Sequence, residues 1–169
     1  SGEEHYNITS ALHKSLRGSH VDAALFWFGR LLEGGEDPRV IARRLVAMAS
    51  EDVGLADPGA LATAVAALHA LEFLGPPEGE LALTQALLCL ATAPKSNSVV
   101  AALRAARAAA QQHASAPVPA HLRNAPTGFA RSLGHGAGYQ YPHDFENAVV
   151  AQAYLPAGLE ALRLYEPKE

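Results

Sequence analysis

Two Asp-Pro pairs, Asp37-Pro38 and Asp57-Pro58, constrain the fold of this chain more than any other feature. The aspartate of such a pair can cap the free amides at a helix N-terminus, and the proline fits the first turn because no amide donor is needed there. Gly34-Gly35 precedes the first pair and Gly54 precedes the second, and glycine commonly follows a helix C-terminus. The pattern predicts a complete helix between the pairs and a second helix that begins the same way, as in packed helical hairpins.

The apolar residues follow helical spacing, and they make up 49% of the chain. Alanine is abundant and β-branched residues are sparse, so the predicted fold class is all-α. One apolar stripe runs along the second helix from Val21 to Leu32, and Ser19 is expected to cap that helix. Leu61, Val65, Leu68 and Leu71 are expected to point inward from the fourth helix. The fifth helix is apolar on most sides, so we expect it to be central, with Cys89 as a small core residue.

Prolines and glycines become frequent after Ser115. Two short helices are expected in this part, at residues 127–133 and near residues 159–164. We predict a helical bundle over residues 1–113 and an irregular Pro/Gly-rich tail over residues 114–169. Because long aromatic-rich loops usually pack over a helical body or across a subunit boundary, bundle and tail are expected to form one structural domain.

Several classes of protein are disfavoured. The chain has no G-x-x-x-x-G-K-[ST] phosphate loop and no nucleophile elbow, so no catalytic residue and no bound cofactor are expected. A single cysteine cannot form an internal disulfide, and the spacing of His113, His121, His135 and His143 matches no compact metal motif, so no metal is expected. The longest apolar run is too short for a bilayer, which predicts a soluble intracellular protein. The start at Ser1 without Met suggests a fragment of a longer protein.

The charge is unevenly distributed. The 49 residues from Lys95 to His143 contain five Lys or Arg and no acid, although the whole chain has a net charge of −4. Such a segment could bind phosphates through its cations and stack bases on its aromatic rings. The alternative is that its arginines are solvated or bound at an interface and its tyrosines serve packing. The DNA-contact candidates are Lys95, Arg104, Arg107, Arg123, Arg131, Tyr139 and Tyr141.

Other residues are candidates for contacts between subunits. Phe26 or Trp27 must lie at the edge of the second helix's stripe, where aromatic residues favour subunit contacts, although a core position is also open. Arg43 and Arg44 point about 100° apart on a helix and cannot clamp one anion, so we expect one to be solvated and one to pair with a carboxylate of a neighbouring helix or subunit. Glu51-Asp52 is interpreted as structural capping or interface pairing rather than as a catalytic acid pair.

Seven motifs occur in order between His5 and Asp144, and the resemblance that they carry extends from about His5 to Tyr165. They are His5-Tyr6-Asn7 with Ser10-Ala11-Leu12-His13-Lys14-Ser15, Arg17-Gly18-Ser19, Ala23-Ala24-Leu25-Phe26-Trp27, Leu32-Glu33-Gly34-Gly35-Glu36-Asp37-Pro38 with Arg43-Arg44-Leu45, Ala49-Ser50-Glu51-Asp52-Val53-Gly54-Leu55-Ala56-Asp57-Pro58, Ala93-Pro94-Lys95-Ser96 with His121-Leu122-Arg123-Asn124-Ala125-Pro126-Thr127, and Gly138-Tyr139-Gln140-Tyr141-Pro142-His143-Asp144. With these motifs the chain resembles the C-terminal region of the replication-associated recombination protein A (MgsA) family of AAA+ ATPases, which includes the Werner-helicase-interacting protein.

The resemblance implies a clamp-loader-collar-like helical bundle that assembles a homotetramer. It also implies work on DNA at replication forks, in replication, recombination and repair, with single-strand-binding protein as a further partner. ATP and Mg would bind in an upstream module, so this fragment would not be an enzyme. A bacterial member would be cytoplasmic and nucleoid-associated, and a eukaryotic member nuclear. An alternative function is a DNA-binding appendage. The sequence departs from the family pattern at His20, His135 and Gln140.

Overall fold

A computed structural model describes residues 2–168, and the described residues form helices and loops without any β-strand. The predicted all-α class is confirmed. Seven α-helices occur in this range: α1 Gly2–Arg17, α2 Val21–Glu33, α3 Pro38–Met48, α4 Ala60–Leu74, α5 Glu78–Thr92, α6 Ser98–Gln112 and α7 Gly128–Ser132. Within it, no helix has the length and apolar character needed to cross a membrane.

The described residues divide into two compact units. One contains the residues up to 105 together with those from 165 onward, and the other contains residues 106–164. In the first unit, α5 contacts each of the helices α1 to α4, which confirms the prediction that it is central. Its side chains Leu83, Leu87 and Leu90 are fully buried. The predicted packing of the tail on the bundle stays a prediction.

Helices α4 and α5 approach each other closely at Gly79. A Cβ atom added to this glycine would lie 2.7 Å from the Cα of Leu71, so no larger residue fits there without movement of the backbone. The inner side of α4 is lined mainly by alanines, and Leu61 is 44% exposed. The prediction that Leu61 points inward was wrong, because α4 is apolar all round and its periodicity does not identify one face.

Cys89 is exposed on the outer side of α5, so its predicted core position was also wrong. The neighbouring Leu87 and Leu90 take the buried positions of that turn. Because α5 has apolar residues on most sides, its sequence does not distinguish the thiol's position from those of the buried leucines.

Helix ends follow the predicted caps in part. The side chain of Asp37 accepts a 2.9 Å hydrogen bond from the amide of Arg39, as the first Asp-Pro pair predicted. At α2 the cap is His20, whose Nδ1 accepts from the amide of Ala23 at 3.1 Å, and Ser19 lies before it at φ 59°. The prediction that Ser19 caps α2 was therefore wrong. The second Asp-Pro pair lies before its helix rather than at the cap: Asp57 accepts from the amide of Gly59, and Gly59 is the N-cap of α4 without a side-chain hydrogen bond. The prediction that α4 begins as α3 does was therefore wrong.

A π-helical turn, Ala49–Val53, follows α3 and ends at Gly54. Gly54 has φ 53° and ψ −132°, a conformation that strongly favours glycine. Single π-helical turns, which are wider than α-helical ones, are frequent at functional sites of proteins. Here the turn buries Asp52, whose neighbours are described below.

The second unit has little regular structure. The short helix α7 lies where a helix was predicted, and Thr127 caps it. Three-residue 3₁₀ turns occur at Ala120–Leu122, Pro142–Asp144 and Glu146–Ala148. Residues 159–164 form turns and extended chain, so the helix predicted there was wrong. No residue of this unit is buried.

Candidate functional site

A cluster of charged side chains joins α1 to the π-helical turn. Asp52 is 6% exposed, and its Oδ1 accepts a 2.6 Å hydrogen bond from Nε of Arg17. Its Oδ2 lies 3.0 Å from Nε2 of His13, and Nη2 of Arg17 lies 3.4 Å from Oε1 of Glu51. The hydrogen bond to Asp52 raises the pKa of Arg17 above its ordinary value, against the opposing effect of burial.

The contacts of this cluster join two elements of the fold, α1 and the π-helical turn. Ligand atoms of His13, Glu51 and Asp52 lie within 4.8 Å of one another, a spacing that could suit a metal ion. However, the guanidinium of Arg17 already donates to both carboxylates and would compete with a cation for the same oxygen atoms. Sequence reasoning missed His13 and Arg17, although their spacing of four residues places them on one face of α1.

Lys95 lies in the first unit and closes the C-terminal end of α5. Its Nζ donates to the carbonyl oxygen atoms of Ala91 and Ala93, at 3.1 and 2.6 Å, and to Oγ of Ser19 at 2.9 Å. Burial lowers the pKa of this ammonium, while the nearby charge of Asp52 acts in the opposite direction. An ammonium with three internal partners stabilises the fold and has little capacity left for a phosphate.

Arg123 and Arg131 hold loops within the second unit. Nε of Arg123 donates to the carbonyl oxygen of Val118 at 2.8 Å, and its Nη1 lies 3.2 Å from Nε2 of His135. Nη1 of Arg131 donates to the carbonyl oxygen of Ala125 at 3.2 Å. The histidine that departs from the family pattern thus contacts one of the DNA-contact candidates.

The remaining DNA-contact candidates are more accessible. Arg104 and Arg107 are exposed on α6 and form no hydrogen bond or ion pair with any described residue. Tyr139 and Tyr141 are about half exposed, and Gln140 lies between them in the sequence. Gln140 forms two backbone hydrogen bonds with the side chain of Gln152, which fix the chain between the two rings.

The aromatic interface candidates lie on the outer side of α2. Phe26 is 57% exposed and Trp27 is partly buried against the core, with their ring centroids 5.0 Å apart and the planes nearly perpendicular. The guanidinium of Arg30 lies 5.9 Å from the centre of the Trp27 ring, within cation–π range. Trp27 therefore lies at the edge of the apolar stripe and Phe26 on the exposed side of the helix, and a contact of either ring with another subunit stays a prediction.

The charged interface candidates differ in their surroundings. Arg43 and Arg44 are both exposed on α3 and form no ion pair with a described residue. Glu51 and Asp52 instead contact Arg17 of the same chain. A contact of any of these four residues with another subunit stays a prediction.

Comparison with known proteins gives a consistent relationship. A family model described as "MgsA AAA+ ATPase C terminal" matches residues 18–169. The chain is 48% identical over 167 residues to the replication-associated recombination protein A of Escherichia coli K12, covering 98% of this chain and 37% of that protein. It is 42% identical to the protein of the same name from Bacillus subtilis, covering 99% of this chain and 40% of that protein, and 46% identical to ATPase WRNIP1 of Dictyostelium discoideum, covering 99% and 19%. The chain thus spans two-fifths or less of the length of these relatives.

Proposed function

The chain belongs to the MgsA AAA+ ATPase C-terminal family, and from this membership we propose that it is the oligomerisation domain of a longer ATPase, which it assembles as a homotetramer. In this proposal the fragment is not itself an enzyme, and ATP and Mg bind in the part of the longer protein that precedes it. The helical bundle supplies a rigid base for contacts between copies.

One observation carries the proposal: the second unit leaves its apolar side chains uncovered. None of its residues is buried, and a globular unit of 59 residues ordinarily forms a core of its own. Burying apolar surface is worth about 25 cal/mol per Å², so these side chains favour association. The large exposed ones are Val118, Phe129, Leu133, Tyr139, Tyr141, Phe145, Val149 and Tyr154.

The names of the relatives indicate the process that the assembly serves. Two of them are named replication-associated recombination proteins. We therefore propose that the assembled protein acts on DNA at replication forks, in recombination and repair, and that single-strand-binding protein is a partner there. A bacterial protein with this function would work in the cytoplasm on the nucleoid, and a eukaryotic one in the nucleus.

Light scattering over a dilution series tests the assembly. The chain has a mass of 17.7 kDa, and we expect a particle of four times that mass at micromolar concentration. The tetramer should dissociate on dilution, since association is governed by mass action. A mass of one chain throughout the micromolar range would contradict the proposed function.

DNA binding by the same domain is a second candidate function. It is favoured by the acid-free segment of residues 95–143 and by Arg104 and Arg107, which form no hydrogen bond or ion pair within residues 2–168. Tyr139 and Tyr141 are exposed enough to stack on unpaired bases. Fluorescence anisotropy with labelled single-stranded and forked DNA tests this function, and the affinity should fall steeply as salt is raised.

A further inference from the structure

We propose that two copies of this chain associate through the outer face of helices α4 and α5. This inference rests on the proposed function and specifies one of the contacts it needs. We call this surface the α4–α5 face. It is formed by Ala62, Ala66, Ala70, Phe73, Leu81, Gln85 and Cys89.

The α4–α5 face is apolar and open to solvent. Phe73 is 88% exposed and Leu81 is 75% exposed, which makes them two of the most exposed large apolar side chains of the described residues. Phe73 follows Ala66 and Ala70 by seven and three residues, so helical periodicity places the three on one side of α4. Leu81, Gln85 and Cys89 follow one another at intervals of four along α5. Exposed apolar patches of this kind mark contact surfaces.

The shape of the surface suits a second copy of itself. A groove runs between the two helices and is lined mainly by small side chains, among them Ala66, Ala70 and Ala82. Phe73 lies near the C-terminal end of α4 and Leu81 near the N-terminal end of α5, so both large side chains lie beside the turn that joins the two helices. A two-fold rotation therefore places the large side chains of one copy against the small ones of the other, as a contact of identical surfaces requires.

The distribution of charge favours the same occupant. Neither residues 61–71 nor residues 81–92 contain Asp, Glu, Lys or Arg. DNA is a poor occupant, because its binding depends on cations. The nearest acids, Glu72, Glu78 and Glu80, all lie near the turn between the helices. In an antiparallel two-fold contact the turn of each copy lies beside the opposite helix ends of the other, so the three glutamates of one copy do not face those of the other.

Charged substitutions on this face test the inference. The Phe73→Asp and Leu81→Asp variants should each form particles of half the wild-type mass or less, because a carboxylate would be buried between copies. Both side chains are exposed within one chain, so the helical circular dichroism spectrum should be unchanged. Tyr6→Asp is the matched control, since Tyr6 is 72% exposed on α1 and should leave the mass as it is. Phe129→Asp separately tests the exposed apolar side chains of the second unit.

The outcomes separate the two proposals. If the wild type assembles and both charged variants keep its full mass, the α4–α5 face is not the contact, although the oligomerisation domain stands. If Phe129→Asp alone lowers the mass, the contact belongs to the second unit and the inference is overturned. A monomeric wild type would overturn both proposals.

Cys89 offers an independent measurement, because it is the only cysteine of the chain and lies on the α4–α5 face. Its reaction with a bulky maleimide should become slower as protein concentration rises through the range of assembly. A Cys89→Ala, Lys14→Cys variant places the thiol on the exposed side of α1 and should react at one rate throughout. If Cys89 reacts equally fast in the assembled and dissociated protein, the inference is wrong.

Discussion

Arg17 and Asp52 form a hydrogen bond of 2.6 Å between the last residue of α1 and the π-helical turn that follows α3. The two residues are 35 positions apart, and Asp52 is buried while the side chain of Arg17 is about half exposed. The bond therefore fixes two elements that are distant in sequence and satisfies a carboxylate that has little access to water.

The first prediction concerns this carboxylate. Asp52→Ala should lower the free energy of unfolding by about 1–3 kcal/mol, because a hydrogen bond to a charged group is lost together with packing. Chemical denaturation measures the change. Glu51→Ala is the matched control and should cost less than about 1 kcal/mol, since Glu51 is more exposed and its distance to Arg17 is 3.4 Å. Equal effects of the two substitutions would contradict the role assigned to Asp52.

The second prediction concerns pH. The side-chain hydrogen bond from Arg39, with the backbone hydrogen bond from the same residue, lowers the pKa of Asp37 below its ordinary value. The folded state therefore gains stability from this carboxylate above the unfolded pKa of about 3.9, and loses it as pH falls through the lower folded value. Asp37→Asn keeps a side-chain oxygen for the amide of Arg39 but cannot titrate. Its stability should fall less than that of the wild type between neutral and strongly acidic pH.

Urea denaturation of both proteins over an acidic pH series provides the measurement for Asp37. If the free energy of unfolding falls equally with pH in the wild type and in Asp37→Asn, this carboxylate does not contribute to the loss of stability in acid.

The third prediction concerns the close approach of α4 and α5. Gly79→Ala should destabilise the protein by about 1–3 kcal/mol, because the new methyl group would overlap the backbone of Leu71. Gly29→Ala is the control: a Cβ there meets no atom within 4 Å, and replacing a helical glycine should stabilise the protein by up to about 1 kcal/mol. Thermal or chemical denaturation of the two variants should give shifts of opposite sign. A stabilising effect of Gly79→Ala would show that the helices can separate without loss.

The fourth prediction concerns DNA. If this domain binds DNA, the double variant Arg104→Ala, Arg107→Ala should reduce the slope of log affinity against log salt by about 2, since each phosphate contact contributes about one unit. The matched double variant Arg43→Ala, Arg44→Ala removes two exposed cations of α3 and should leave the slope unchanged. Equal losses in the two variants would assign the binding to overall charge rather than to α6.

Local rules predicted the parts of the fold that depend on neighbouring residues. The cap at Asp37, the stop at Gly54 and the short helix α7 each require only a few residues of sequence. The apolar stripe of α2 was also predictable, because Ala24 and Phe28 are buried while Asp22, Arg30 and Glu33 are exposed on the opposite side. His20 was missed because histidine is an uncommon cap, and a nitrogen acceptor replaces the usual oxygen.

Contacts between distant residues could not be predicted in the same way. Nothing near Asp52 in the sequence indicates Arg17, and the three internal partners of Lys95 depend on how α5 ends against the loop that contains Ser19. Charge counting placed Lys95, Arg123 and Arg131 in one basic segment, yet all three guanidinium or ammonium groups have acceptors within their own chain. Composition counts cations, but only tertiary structure shows which of them are already occupied.

The absence of a buried residue in residues 106–164 has a consequence for hydrogen exchange. Amides held only by solvent-accessible hydrogen bonds open at a small free-energy cost, so this segment should exchange quickly in an isolated copy. If neighbouring copies cover this segment, its amides should exchange more slowly as the protein concentration rises. Part of the free energy of association then offsets the entropy lost when the segment becomes ordered. The ordering of residues 106–164 and the association of the copies would then occur together, as one cooperative equilibrium.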